Sequence, residues 1–163
     1  MKTYFIAALV LALATHAAAE PMPAGAVVLP GRMAKEMLNQ CSRATPEMGE
    51  ATWQPTADDI VAFETALPEA LSHTRPIERI SWDPGKWARQ YVGLVRHGHR
   101  YIYGNFAPAY ILDEHRKLAE QSPRLAERLA GPFEICDGGP RFFGAEYDVE
   151  GHRFTQIDFN GVA

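Results

Sequence analysis

The chain has 163 residues, 47% of them hydrophobic and 22% charged, with a formal net charge of −4. That length suits one domain with a sizeable core, and scattered basic residues in a mildly acidic chain lack the electrostatic footprint of a nucleic-acid or anionic-lipid binder. It holds no G-x-S-x-G elbow, H-E-x-x-H helix or C-x-x-C pair, so the commonest hydrolase, zinc-protease and dithiol signatures are missing.

Lys2, an apolar run over residues 4–14, and small residues at Ala17 and Ala19 form the three-part pattern of a secretory signal. The expected cut lies after Ala19. The run is shorter than the about 20 apolar residues that span a bilayer, and no later run is long enough, so the mature chain is expected to have no membrane span and to be periplasmic or secreted. The expected layout is a signal peptide at 1–19, an arm with a short helix at 20–55, and an α+β domain at 56–163, the last two forming one mature unit.

Residues 20–31 are rich in Pro, Ala and Gly and read as an extended arm. Met33, Met37, Leu38 and Cys41 are spaced for one helical face, which delivers Cys41 to the core. Residues 42–55 read as a loop with Trp53 as its anchor. A stronger helix starts at Thr56, which caps it with Asp59 three residues on, while Asp58 and Asp59 favour the positive end of the helix dipole. Ile60, Phe63, Leu67 and Leu71 then form an apolar stripe, and Pro68 is expected to kink the helix or end it at Leu67. Residues 72–85 read as a loop.

From Trp87 the pattern is that of strands. A Gly98-His99 turn of type II′ pairs Val95 with Ile102, Gly93 with Gly104 and Tyr91 with Phe106, apolar on apolar. A His97-Gly98 turn would set Val95 against Arg100 and is the less favourable register. In the chosen register His97 and His99 do not converge as a metal pair would. Residues 109–132 read as a helical connection: Ser122 caps, Pro123 takes the first helical position, and Gly131-Pro132 closes it.

Residues 133–137 read as a short strand, and Gly138, Gly139 and Pro140 as the reversal after it. The last two strands form a hairpin about Glu150-Gly151. It pairs Asp148 with Arg153, Glu146 with Thr155 and Gly144 with Ile157 on one face, and Tyr147 with Phe154 and Phe143 with Asp158 on the other. The expected fold is therefore α+β: an antiparallel sheet of about five strands packed on one main helix, with additional short helices. It is similar at fold level to the cystatin-like arrangement, in which a twisted sheet wraps one helix.

Two cysteines in an exported chain imply a bridge between Cys41 and Cys136. The face of the sheet away from the helix is expected to hold Tyr101, Tyr103, Tyr147 and Phe154 with Asn105, Gln156 and Asp158, a mixture of rings and polar groups suited to binding. Glu146 and Asp148 share a face but Asp158 does not, and Arg153 partners Asp148, so no carboxylate pair for acid–base work emerges. These features imply an exported, non-catalytic binding protein that recognises a protein, in an inhibitor or immunity role, or a small ligand, with no cofactor or metal. The alternatives are a small hydrolase built on the Asp137 loop with Glu146 or a histidine, and a metal-handling protein using His97, His99, His115 or His152.

Overall fold

The computed structural model describes residues 21–74 and 80–162. The signal segment at 1–19 lies outside the described residues. In chain order the elements are β1 (Ala26–Val28), α1 (Ala34–Leu38), β2 (Ala51–Trp53), α2 (Ala57–Ser72), β3 (Trp87–Arg96), β4 (His99–Pro108), α3 (Tyr110–Ala119), α4 (Pro123–Leu129), β5 (Phe143–Asp148) and β6 (Arg153–Phe159).

The fold is α+β, with a six-stranded sheet in the order β1-β3-β4-β5-β6 and β2 also alongside β3. The sheet is mixed rather than wholly antiparallel, because β1 runs parallel to β3. The arm and the loop of the sequence reading thus supply one short strand each, both docked on the long β3. Residues 133–137, expected as a strand, are coil. This segment finds its partners in side-chain amides instead of a ladder. The Phe133 amide donates to Gln90 Oε1 (3.0 Å), Asn105 Nδ2 donates to the Phe133 carbonyl (2.9 Å), and Asn160 Nδ2 donates to the carbonyls of Ile135 (2.5 Å) and Asp137 (2.9 Å).

α2 begins as its sequence predicts. Thr56 and Asp59 form a reciprocal capping box. The helix does not end at Leu67 but passes through Pro68 to Ser72. Leu67 and Leu71, buried on either side of the proline, hold the helix to the sheet. Packing of the apolar stripe thus outweighs the hydrogen bond that Pro68 cannot make.

The β3–β4 register differs from the expected one. Arg96 pairs with His99 and Val95 with Arg100, so the turn residues are His97 and Gly98. Both take positive φ, 52° and 74°, the type I′ geometry whose twist matches that of the strands. The Val95–Arg100 pairing costs little because Arg100 is satisfied elsewhere. Its guanidinium bonds Glu150 at 2.8 Å and lies 4.9 Å over the Trp53 ring. The β5–β6 hairpin keeps the expected pairs Asp148–Arg153 and Tyr147–Phe154, and then a bulge shifts the register. Beyond it Glu146 pairs with Gln156, Ala145 with Ile157 and Gly144 with Asp158. Thr155 is the extra residue, and Asp158 now lies on the same face as Glu146.

Both faces of the sheet are covered. On one, Ile60, Phe63, Leu67 and Leu71 of α2 pack on Tyr91, Ile102, Phe106, Phe143, Ala145 and Tyr147. Gly104 admits that helix, since a Cβ there would meet the rings of Phe106 and Phe63 at 2.6 and 3.0 Å. On the other, Leu29, Ala34, Met37 and Leu38 cover Val92, Leu94 and Tyr103, while Ile111, Phe133 and Phe142 cover Ala88 and Ala107. The Cys41–Cys136 disulfide is formed, with 5.4 Å between the Cα atoms, and ties the end of the α1 region to the coil at 133–137. The backbone reverses just after it, where Asp137, Gly138 and Gly139 take φ of 70°, 84° and 66°.

Candidate functional site

Strand alternation sorts the candidate residues into two groups. Tyr101, Tyr103 and Asn105 project from β4 onto the face opposite α2, beside Glu146 of β5 and Gln156 of β6. Tyr147 and Phe154, expected among them, face α2 instead. Their rings lie 5.7 and 4.9 Å from that of Phe63 and 5.1 Å from each other. Burial raises the pKa of the Tyr147 hydroxyl, and the charge of Asp148 adds to the effect.

The centre of the polar face is sealed. Tyr103 and Asn105 are each 1% exposed. Arg43, carried by the chain that crosses this face after α1, donates to Asn105 Oδ1 (2.6 Å), to Asn160 Oδ1 (2.6 Å) and to the Tyr103 hydroxyl (3.3 Å). Its place is fixed on both sides in sequence. Cys41 is bridged two residues earlier, and the Gly161 amide bonds both the carbonyl (3.2 Å) and Oγ (3.0 Å) of Ser42. Burial holds the Tyr103 phenol above its ordinary pKa, with Arg43 opposing, so it stays protonated at neutral pH. Gly144 is required here, because a Cβ would stand 2.2 Å from that hydroxyl.

The acids of this face each have a partner within the chain. Glu146 pairs with Arg96 at 2.6 Å and accepts from Thr155 Oγ1 at 2.6 Å. Arg96 also lies 4.1 Å over the Tyr101 ring. Asp158 accepts from Gln156 Nε2 at 2.5 Å, and Asp148 accepts the Gly151 amide at 2.8 Å. The bulge does bring Glu146 and Asp158 onto one face, yet each is neutralised or bonded where it stands. Asp137 is exposed at the mouth of the left-handed turn. His97 and His152 sit in the two hairpin turns, with His99 at the first residue of β4 and His115 on α3. Among the described residues, the one grouping of three metal-type donors is Cys41, Glu134 and Cys136, and both its sulfurs are consumed by the disulfide.

What stays open is the margin of the face. Tyr101, Gln156 and Asp158 are half-buried, and β6 is the last strand of the sheet. No strand among the described residues pairs with its outer edge. A cavity of about 340 Å³ adjoins it on the α2 side, lined by Ala70 of α2, by His73 and Thr74 just beyond its C-terminus, and by residues 154–157 of β6. A groove of about 720 Å³ lies at α1, between Arg32, Lys35 and Leu38 and the crossing chain at Pro46 and Met48.

One buried group gave little sequence signal. Arg89, 2% exposed, donates to both carboxylate oxygens of Glu64 at 2.6 and 2.5 Å, and to the Ala24 carbonyl. The Tyr91 hydroxyl donates to Glu64 at 2.7 Å. Burial, then the Glu64 charge, holds the Tyr91 phenol well above its ordinary pKa. This closed network bolts α2, β3 and the lead-in to β1 together, and its oxygens are shared among protein donors rather than turned to a ligand. A readable sign of it was Glu64 standing beside Phe63 within an apolar stripe.

No family model matches the chain, and no match was found among curated proteins or solved structures. The functional reading therefore rests on geometry.

Proposed function

We propose that the protein is an exported binding protein without catalysis of its own, and that it takes an extended segment of a protein partner along the outer edge of β6. The observation that carries this reading is the seven-residue edge of β6, unpaired among the described residues, polar on one face and apolar on the other. A free edge presents a row of unpaired N–H and C=O groups that another strand completes, and side chains on alternate positions then select the sequence. Arg153, Gln156 and Asp158 supply the polar row, while Phe154 and Ile157 flank the cavity beside α2. The edge carries no lysine or proline, and the bulge at Thr155 with the charges of Arg153 and Asp158 restricts which strands it accepts. Export is supported by the leader pattern and by the disulfide, which persists in oxidising compartments.

The test is a photo-reactive amino acid placed at exposed Thr155 of the exported chain, with the same group at exposed Val27 of β1 as the control. Illumination of intact envelopes is expected to give a discrete adduct from position 155 and none from 27. Absence of any adduct at 155, or equal adducts at both positions, refutes the reading.

A further inference from the structure

We propose that a second copy of this chain is the segment that completes the β6 edge, forming a two-fold symmetric dimer through antiparallel β6 pairing. The inference rests on the reading of β6 as the recognition edge and names its partner.

The argument is the self-complementarity of the strand. The bulge at Thr155 shifts the alternation by one residue, so Arg153 and Asp158, five apart, share the polar face while Phe154 and Ile157, three apart, share the α2 face. Residues directly opposite in an antiparallel pair lie on the same face. One register places Arg153 opposite Asp158 of the partner subunit, and the same register places Phe154 opposite Ile157 of the partner subunit. The two-fold repeats each pair, as an isologous interface must. A slip of one residue sets polar-face side chains against apolar ones, so the register is unique locally. The charges are available for it. The Arg153 side chain is 73% exposed and reaches Asp148 only at 3.8 Å, while Asp158 accepts from the neutral amide of Gln156.

Sedimentation velocity of the mature chain from low to high micromolar concentration tests this, with circular dichroism confirming that each variant is folded. The wild type is expected to show a concentration-dependent dimer. Asp158→Arg sets like charges opposite each other twice, and is expected to weaken the dimer about tenfold. Arg153→Asp does the same, and the double exchange R153D/D158R restores association. A wild type that is monomeric throughout overturns the inference, as does a dimer indifferent to both charge reversals. A monomer that still yields a heterologous adduct at position 155 overturns the second copy as the partner while leaving the edge reading in place. A monomer with no adduct at all sinks both.

Discussion

Replacing Arg43 with alanine removes the side chain that bridges Tyr103, Asn105 and Asn160 on the polar face. Arg43 satisfies Asn105 Oδ1 and Asn160 Oδ1, both at 2.6 Å, and residues 105 and 160 are 1% and 5% exposed. Each buried acceptor left without a donor costs about 1–3 kcal/mol. The longer contact to the Tyr103 hydroxyl, at 3.3 Å, adds less because that hydroxyl is free to rotate. Arg43 itself is half-buried, so water entering its place offsets part of the loss. The expected destabilisation is therefore about 2–4 kcal/mol. Urea denaturation reads it as a lowered midpoint with an unchanged slope. Arg43→Lys should recover only part, since an ammonium cannot span two acceptors as a planar guanidinium does. Arg32→Ala at the exposed rim of α1 should fall within about 0.5 kcal/mol of wild type. A loss below about 1 kcal/mol for Arg43→Ala would refute the claim that this residue seals the face.

Phe63→Ala should cost about 3–5 kcal/mol by the same denaturation measurement, because Phe63 is fully buried against four rings. Glu64→Gln leaves Arg89 buried without a counter-charge and should destabilise by roughly 3–5 kcal/mol, whereas wild-type stability at neutral pH reflects the intact pair. Reduction of the Cys41–Cys136 bridge, which closes a separation of 95 residues, should lower stability by about 2–5 kcal/mol, and the oxidised mass should be two hydrogens below the reduced one. Glu150 should titrate below an ordinary glutamate in a carboxylate NMR titration, because Arg100 bonds its charged form. With its folded pKa depressed, its contribution is present above the unfolded pKa and lost as pH falls through the folded one. Arg100→Gln should reduce the shift without removing it, because the amide of residue 100 still donates to Glu150 at 3.0 Å, and both groups being exposed keeps the stability effect small.

The parts of the fold carried by local chemistry were legible in the sequence. Thr56 with Asp59, and the stripe Ile60, Phe63, Leu67 and Leu71, describe α2 without reference to anything distant. Both hairpins were legible as hairpins, yet their registers were not. The Gly98-His99 register is favoured by apolar pairing and by keeping Val95 from Arg100, but Arg100 finds Glu150 and the Trp53 ring instead, and His97 tolerates a φ of 52°. The bulge at Thr155 has no sequence mark, and it alone moves Asp158 to the face of Glu146. β1 and β2 span three residues each, too few to show an alternation. The apolar segment 133–137 resembles a strand because its environment is half-buried, while its hydrogen bonds go to Gln90, Asn105 and Asn160.

The candidate surface was legible in half. Tyr101, Tyr103, Asn105 and Gln156 do share a face, whereas Tyr147 and Phe154 belong with Phe63. The mixture of rings and polar groups around Tyr103 signalled a buried network as much as a binding surface, and sequence spacing does not distinguish the two. The decisive element was Arg43, sixty-two positions from Asn105 and brought to it by the crossing chain. No local pattern announces such a contact.

The claim that β6 is the recognition edge meets its most direct test in backbone hydrogen exchange. Exchange is read residue by residue in the dilute protein and again at high concentration in envelope extract. The account predicts that amides on the outer edge of residues 153–159 exchange freely when dilute and become protected when concentrated, while those of β1 do not change. Equal exchange of the β6 amides under both conditions would contradict it.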